Sequence, residues 1–254
     1  MSGKVYLVGA GPGAPDLVTL RAARLLGEAD VVLHDALVHP GTLALAARAE
    51  KVAVGKRCGR QSSAQRFINK RLVDAARRHR IVVRLKGGDP MLFGRAQEEI
   101  VALEKAGIEF EVVPGVTAAL AAAADLGTSL TQRGVARSVT FVTPRVGAGE
   151  APSGWARAVA SADTAVLYMA AGEAARVRDA LVEAGVAPDM PVALVENASL
   201  KDSRSTRATL GEIESLVEAR GEGPAVILLG RAFAAAVSQQ RFEEFVHAAA
   251  VAGR

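Results

Sequence analysis

Three glycine-bearing turns and one carboxylate are the residues whose types and spacing could do chemistry in this chain. The turns Gly9–Asp16, Gly87–Gly94 and Pro114–Thr117 each follow a short apolar run, and Asp35 follows a fourth. Glycine lets a backbone turn sharply and approach a ligand closely, and a carboxylate can accept a proton. If the four runs are parallel strands, their carboxyl ends lie at one edge of a sheet, where ligands bind in such folds. We therefore expect one cleft to contain all four.

The first turn by itself admits more than one interpretation. As a G-x-G-x-x-A pattern it is typical of dinucleotide binding, with Asp35 as the carboxylate for a ribose, which would suit an oxidoreductase. Pro12 and Pro15 disfavour that hypothesis because each removes an N–H from the turn that should hold a pyrophosphate. A non-catalytic basic binding module is a further alternative, but it would leave three clustered glycine turns without a purpose.

Alternating strand and helix patterns in the first half of the chain must position these residues. Short runs rich in Val, Leu and Ile, each followed by a helical stretch, are typical of a parallel sheet in a doubly wound α/β domain. The expected strands are Lys4–Val8, Val31–His34, Lys51–Val54, Ile81–Leu85 and Glu109–Val113. The expected helices are Leu17–Gly27, Gly41–Ala49, Ala64–Arg78 and Arg95–Ala106, the third preceded by a capping-box pattern at Ser62–Gln65.

A second series of strands follows the third glycine turn. These strands are expected at Val139–Thr143, Ala165–Met169, Val192–Glu196, Arg204–Thr209 and Ala225–Leu229. The segment Asn197–Ser203 is short enough to join two of them as a hairpin, so this sheet is expected to be mixed. The sequence thus predicts two α/β domains, residues 1–115 with a parallel sheet and residues 116–254 with a mixed sheet.

Composition excludes several classes of protein. The 254 residues include 31 Lys+Arg and 27 Asp+Glu, for a net charge of +4, and 50% are hydrophobic, which is too apolar for a disordered chain. No apolar stretch is long enough to cross a membrane, and the N-terminus lacks the pattern of a signal peptide. One cysteine, Cys58, cannot form an internal disulfide, so a reducing cytoplasm is expected. With four scattered histidines and one cysteine, no metal site is expected.

Positive charge is concentrated in one stretch of the chain. Lys51–Lys86 contains twelve Lys/Arg and one acid, a balance of +11, so the remaining 19 basic and 26 acidic residues sum to −7. Such a stretch indicates either an anionic partner, such as nucleic acid, phosphate or a polycarboxylate, or simply a solvated helix face.

Six strings follow one another along the chain: GAGPGAPDLVTL, VVLHDALV, VGKR, VVRLKGGDPMLFGR, VVPGVTAA and LTQRG. In this order and spacing they resemble the tetrapyrrole methylase family, and the resemblance covers nearly the whole chain. The resemblance implies a homodimer of two-domain subunits that bind S-adenosylmethionine in the cleft between the domains. It also implies methylation of uroporphyrinogen III at carbons 2 and 7, which gives precorrin-2 by way of precorrin-1. The eight carboxylates of that substrate would account for the basic stretch, and neither nucleic acid nor a membrane is an expected partner. No dehydrogenase/chelatase domain is expected beside the methylase.

The resemblance also implies roles for individual residues. Asp35 matches the family's proton acceptor and Lys56 its proton donor. The expected contacts to S-adenosylmethionine are Pro12, Gly87, Gly88, Asp89, Leu92, Thr117, Ala118, Met169, Ala198 and Ala225. The residues expected to face the tetrapyrrole are Arg95, Glu98 and Arg133, with each arginine able to hold a carboxylate bidentately.

The chain departs from the family pattern at five places without losing a proposed proton-transfer group. His34 replaces an aromatic residue, Gln132 a histidine and Ala198 a glycine; Thr143-Pro144-Arg145 stands for Thr-Gly-His, and Ala96-Gln97-Glu98-Glu99 for Gly-Gly-Glu-Glu. These departures concern the shape of the acceptor pocket. Methylation of a later precorrin, or of RNA or a modified protein histidine on the same fold, is therefore an alternative.

Overall fold

The computed structural model describes residues 3–55, 65–147 and 153–234. Contacts divide the chain into two units: Met1–Ala121 with Asn197–Asp202, and Ala122–Glu196 with Ser203–Arg254. This division differs from the expected boundary at residue 115 by including residues 116–121 and a six-residue loop of the second half in the first unit. We describe each unit separately.

The first unit contains a five-stranded sheet in which every pair of neighbouring strands is parallel. Its strand order is β3-β2-β4-β1-β5. The strands are β1 (Lys4–Gly9), β2 (Val31–His34), β3 (Glu50–Ala53), β4 (Ile81–Lys86) and β5 (Phe110–Val113). The switch in order places the end of β1 between the ends of β4 and β5, so the glycine turns after these three strands are neighbours.

Helices cover both faces of this sheet, as a parallel sheet requires. They are α1 (Leu20–Glu28), α2 (Pro40–Ala44), α3 (Gln65–Ala76) and α4 (Ala96–Lys105), with a 3-10 turn at Pro15–Leu17. On one face, Leu25 and Leu26 of α1 pack with Val83 and Leu85 of β4. On the other face, apolar residues of α3 and α4 pack against β1 and β2. Helix α5 (Ala118–Asp125) follows the third glycine turn.

The second unit contains a mixed five-stranded sheet of order β6-β7-β10-β8-β9. The strands are β6 (Val139–Val142), β7 (Thr164–Tyr168), β8 (Pro191–Glu196), β9 (Arg204–Thr209) and β10 (Ala225–Gly230). Only β6 and β7 pair in parallel; the other three pairs are antiparallel, and β8 and β9 form the expected hairpin.

In the part of this unit that the structure describes, three helices pack on the second sheet and build its core. They are α6 (Trp155–Ala160), α7 (Ala174–Glu183) and α8 (Ile213–Glu218), with 3-10 turns at Ala171–Glu173, Leu210–Glu212 and Arg231–Phe233. Their buried side chains, among them Leu181 and Ile213, join Leu167 and Leu194 of the sheet in one cluster.

The expected architecture is confirmed; strand bounds differ from the expected ones by at most one residue, and the larger differences lie at helix ends. Helix α1 begins at Leu20 rather than Leu17 because Thr19 caps it, its Oγ1 accepting from Ala22 N at 3.1 Å. Helix α2 ends at Ala44 rather than Ala49, after which tight turns lead into β3. The expected capping box lies outside the described residues except for Gln65. Within the described ranges, no helix is both long and apolar enough to span a bilayer.

Candidate functional site

The carboxyl ends of β1, β2, β4 and β5 form one edge of the parallel sheet. We call this region the first-sheet edge and define it as residues 9–14, 35–37, 87–95 and 114–117. It brings the three glycine turns and Asp35 together, as their positions after strands predict.

Close backbone packing makes glycine necessary at two of the turns. A Cβ added to Gly9 would lie 2.6 Å from Gly115 Cα, and one added to Gly115 would lie 2.3 Å from Gly88 O. Both distances are far below van der Waals contact, and both involve backbone atoms that cannot rotate away. The turns after β1 and β5 therefore touch each other directly.

Gly88 differs from these two because it has open space on its side-chain side. A Cβ there would meet only Thr117 Cα, at 3.9 Å, although its φ of +68° favours glycine. Gly88 is also bridged to Gly11, with Gly88 N donating to Gly11 O at 2.7 Å and Gly11 N to Gly88 O at 3.3 Å. A ligand could thus approach the backbone at Gly88, between Gly11 and Thr117.

Asp35 is held in one orientation by the backbone around it. Its Oδ1 accepts from Leu37 N at 2.9 Å and its Oδ2 from Gly87 N at 3.1 Å. The carboxylate is half-buried, which leaves it accessible from one side. The His34 Nδ1 lies 3.0 Å from the Asp35 carbonyl oxygen, and because that oxygen can only accept, Nδ1 carries the hydrogen. The two backbone amides orient an acceptor at the strand end.

Asp89 joins two of the glycine turns. Its Oδ1 accepts from Met91 N and its Oδ2 from Gly115 N, both at 2.8 Å. Both carboxylate oxygens are therefore bonded within the protein, one to the turn after β4 and one to the turn after β5. Asp89 shapes the first-sheet edge, whichever ligand it also contacts.

The first glycine turn is held by the loop of residues 197–202. Ala14 N donates to Ser199 Oγ at 3.0 Å, and a Cβ on Gly13 would lie 3.3 Å from Ala198 O. Ala198, an expected cofactor contact, is buried. The first unit also contains other expected contacts, namely Pro12, Leu92, Thr117 and Ala118.

Two residues expected to face the tetrapyrrole contact each other. Arg95 Nε donates to Glu98 Oε1 at 2.7 Å and its Nη2 to Glu98 Oε2 at 2.9 Å, a bidentate pair at the start of α4. Both side chains are exposed. A substrate carboxylate would have to share or replace Glu98 to reach this arginine.

Three expected site residues lie in the second unit. Met169, with a φ of +56°, directly follows β7, and Ala225 is the first residue of β10. Val226, the next residue of β10, pairs with Tyr168, the last residue of β7. Met169 and Ala225 therefore share one edge of the mixed sheet. Arg133 is exposed in a tight turn closed by two hydrogen bonds of 2.8 Å between the backbones of Gln132 and Ala136. Lys56, the expected proton donor, lies outside the described residues.

A buried charged cluster beneath the first-sheet edge was not predicted. Arg84 and Lys86 are each 4% exposed and Glu99 is 0% exposed. Arg84 Nε contacts Glu99 Oε1 and Lys86 Nζ contacts Glu99 Oε2, both at 2.9 Å. The signal in the sequence is two charged residues at alternate positions of IVVRLK, since a strand buried on both faces is normally apolar.

Burial changes the acidity of this lysine. Burial lowers the pKa of Lys86 below its ordinary value, and the Arg84 guanidinium lowers it further, while Glu99 and Asp35 act in the opposite direction. A carboxylate at the first-sheet edge thus acts on the pKa of a lysine in the cluster below it. Among the described residues, no three His, Cys, Asp or Glu side chains are grouped as metal ligands would be.

Comparisons with known proteins agree on one family. Residues 4–214 match the model of the Tetrapyrrole (Corrin/Porphyrin) Methylases. The chain is 45% identical to a uroporphyrinogen-III C-methyltransferase of Pseudomonas aeruginosa over 94% of this chain and 98% of that protein. It is 47% identical to a siroheme synthase of Chromobacterium violaceum over 90% of this chain, but it spans only 49% of that relative's length.

A solved structure gives the same result in three dimensions. The fold is similar to that of the uroporphyrin-III C-methyl transferase of Thermus thermophilus, which was solved in complex with S-adenosyl homocysteine. The TM-score is 0.80 at 43% identity, and the match covers 91% of this chain and 98% of that one.

Proposed function

This chain belongs to the tetrapyrrole (corrin/porphyrin) methylases, and from that premise we propose that it methylates uroporphyrinogen III. S-adenosylmethionine is the methyl donor. Two transfers, to carbons 2 and 7, convert uroporphyrinogen III into precorrin-2 by way of precorrin-1. The observation that carries this proposal is the similarity to the Pseudomonas enzyme over nearly the full length of both chains.

The first-sheet edge suits a ligand such as S-adenosylmethionine. Gly88 offers its backbone to a ligand because no side chain covers it, and Gly87 and Asp89 flank it. We assign the donor site to these residues with Pro12, Leu92, Thr117, Ala118 and Ala198, and to Met169 and Ala225 of the second unit. Their shared task is to align the methyl group with a pyrrole carbon, because alignment alone removes much of the barrier to a transfer between two bound molecules.

We assign to Asp35 the role of accepting the proton that the reaction releases. When a pyrrole carbon attacks the sulfonium methyl, a carbon–carbon bond forms and the carbon–sulfur pair stays with sulfur as S-adenosylhomocysteine is released. The positive charge left on the tetrapyrrole is relieved when a proton departs. Asp35 is oriented by Leu37 N and Gly87 N, is half-exposed, and can accept that proton. Lys56 is assigned the matching role of proton donor.

The carboxylates of the tetrapyrrole are assigned to arginines. Arg95 and Arg133 are exposed, and a guanidinium can hold an acetate or propionate group with two parallel hydrogen bonds. The guanidinium of Arg95 is paired with the Glu98 carboxylate in the described structure. Substrate binding would therefore replace the Glu98 carboxylate with a carboxylate of the tetrapyrrole. We further propose that the protein acts as a homodimer, as its family resemblance implies. We also propose that it acts in a reducing cytoplasm, because its single cysteine cannot form an internal disulfide.

The proposal is tested by anaerobic incubation of the purified protein with uroporphyrinogen III and methyl-labelled S-adenosylmethionine, followed by mass analysis of the tetrapyrrole. Two added labelled methyl groups are expected. The matched control is the same incubation with S-adenosylhomocysteine in place of the donor, which should add none.

A different result would be equally specific. If no methyl group is added while S-adenosylhomocysteine still binds in calorimetry, the donor site is right and uroporphyrinogen III is the wrong acceptor. Later precorrins and RNA would then be offered under the same conditions.

A further inference from the structure

The buried cluster of Arg84, Lys86 and Glu99 lies directly behind the first-sheet edge. Arg84 and Lys86 alternate along β4, so both side chains leave the same face, and Glu99 of α4 receives one cation on each oxygen, both at 2.9 Å. Two cations against one carboxylate leave one net positive charge in a place that water does not reach. Buried charges of this kind are costly unless they are balanced.

Hydrogen bonds connect this cluster to Asp35. Arg84 Nη1 donates to Leu85 O at 3.0 Å, and the same carbonyl accepts from Asp35 N at 3.4 Å. The carboxylate of Asp35 accepts from Gly87 N, the residue next to Lys86. Asp35 is thus bonded to the residues on either side of Lys86, to Leu85 through its backbone N–H and to Gly87 through its carboxylate.

The turn above Lys86 is also packed closely on its side chain. A Cβ on Gly94 would lie 3.1 Å from Lys86 Cε and 2.5 Å from Pro90 O. The end of the turn therefore rests on the lysine, and a change of side chain at position 86 is felt at the first-sheet edge.

We propose that Lys86 is a positioning residue for methyl transfer, whose ammonium, fixed by Glu99, acts through the Asp35 carboxylate that balances the net charge of the cluster. The inference rests on the proposed function for its effect on turnover, but the interaction between Lys86 and Asp35 does not. The influence of Asp35 on the pKa of Lys86 agrees with it, since the carboxylate favours the charged lysine.

The first test changes the charge of the cluster in steps and measures kcat and KM. In Lys86→Met the net charge is zero, and we expect kcat to fall about tenfold while KM for S-adenosylmethionine changes less than about twofold. Lys86→Arg and the double variant Lys86→Met/Glu99→Gln both return the net charge to plus one, and both should recover kcat to within about threefold of wild type. A merely structural role would make the double variant at least as impaired as Lys86→Met, and that result would overturn the proposal.

Lys4 provides the matched control. It belongs to the neighbouring strand β1, pairs with Glu109 at 2.8 Å, and lies at the opposite end of the sheet. Lys4→Met removes the same charge by the same substitution, and kcat should be unchanged.

The second test needs no enzymatic activity. Thermal unfolding of Asp35→Asn, Lys86→Met and the double variant should be non-additive, the double losing about 2 °C less in Tm than the sum of the single losses. The cycle of Asp35→Asn with Lys4→Met should be additive. Additivity of both cycles would overturn the proposal, even if wild-type protein methylated no tetrapyrrole; absence of product alone would contradict only the proposed function.

Discussion

Asp35 in the first unit and Glu196 in the second are both carboxylates at the end of a strand, and both accept two backbone N–H groups. Glu196 is 4% exposed and binds Gly221 N at 3.0 Å and Gly223 N at 2.7 Å, which fixes the loop before β10. Asp35 is half-exposed and accepts from Gly87 N, which begins the glycine turn after β4, the strand that carries the buried Arg84 and Lys86. The same bonding pattern therefore closes a loop in one unit and holds a half-exposed carboxylate in the other. The surroundings, rather than the carboxylate, distinguish the two.

Removing the charge of Asp35 tests its proposed role as proton acceptor and should have the largest effect. Asp35→Asn keeps the size of the side chain but loses the proton acceptor, so kcat should fall by about 10²–10⁴-fold. Calorimetry should find the affinity for S-adenosylhomocysteine nearly unchanged. Wild-type turnover in this variant would remove Asp35 from the mechanism.

Gly115→Ala tests whether the close packing of the glycine turns is required. The new Cβ would lie 2.3 Å from Gly88 O, so the turns must separate, at a cost of about 2–3 kcal/mol in the free energy of unfolding. Urea denaturation measures that loss, and calorimetry should show weakened binding of S-adenosylhomocysteine.

Gly27 is the control for this substitution. Nothing lies within 4 Å of a Cβ there, and the residue is exposed in α1, so Gly27→Ala should raise the free energy of unfolding by about 0.5–1 kcal/mol. Equal effects at the two glycines would mean that the packing at Gly115 is not what holds the turns.

Glu196→Gln is the counterpart of the Asp35 variant in the second unit. Glutamine keeps one acceptor oxygen, but its NH₂ group faces one of the two backbone N–H groups, which then loses its acceptor. The free energy of unfolding should therefore fall by about 1–2 kcal/mol. Specific activity should stay at the wild-type level. A large loss of kcat at full stability would erase the distinction between the two carboxylates.

Asp163 is a third carboxylate that accepts two backbone N–H groups, and its contribution to stability should depend on pH. Arg137 N, Ser138 Oγ and Ser138 N donate to its Oδ2 at 2.8–2.9 Å, and these bonds lower the pKa of the Asp163 carboxyl below its ordinary 3.8. A carboxyl whose pKa is lowered by folding stabilises the folded state above the unfolded value, and this stabilisation is lost as pH falls toward the folded value.

Urea titrations of wild type and Asp163→Asn should therefore differ most at neutral pH and converge below about pH 3.8. A difference that persists unchanged in acid would show that the side-chain shape, and not its charge, holds residues 137 and 138.

The sequence predicted the strands well because most of them are short Val- and Leu-rich runs between polar segments. It predicted the start of α1 less well because Leu17 continues the apolar pattern ahead of the capping residue Thr19. Helix α2 was overestimated because residues 45–49, which include three alanines, favour a helix, whereas the chain must turn there to enter β3.

Within the candidate site, residues that directly follow a strand were easier to assign than the side chains that bond to them from other segments. That Gly9, Gly88 and Asp35 meet at one edge follows from strand order. The bond from Gly115 N to Asp89 spans 26 positions and has no local signature. Glu99 has no local signature either, and only the packing of α4 on β4 shows that its carboxylate pairs with two buried cations.

The contact between the backbones at Gly9, Gly88 and Gly115 has a consequence for the entropy of binding. Turns that are already fastened to one another, and held by Asp89, lose little conformational freedom when a ligand arrives. The conformational entropy of this backbone is lost when the chain folds and not when the ligand binds. A larger share of the free energy of each ligand contact therefore contributes to the binding affinity.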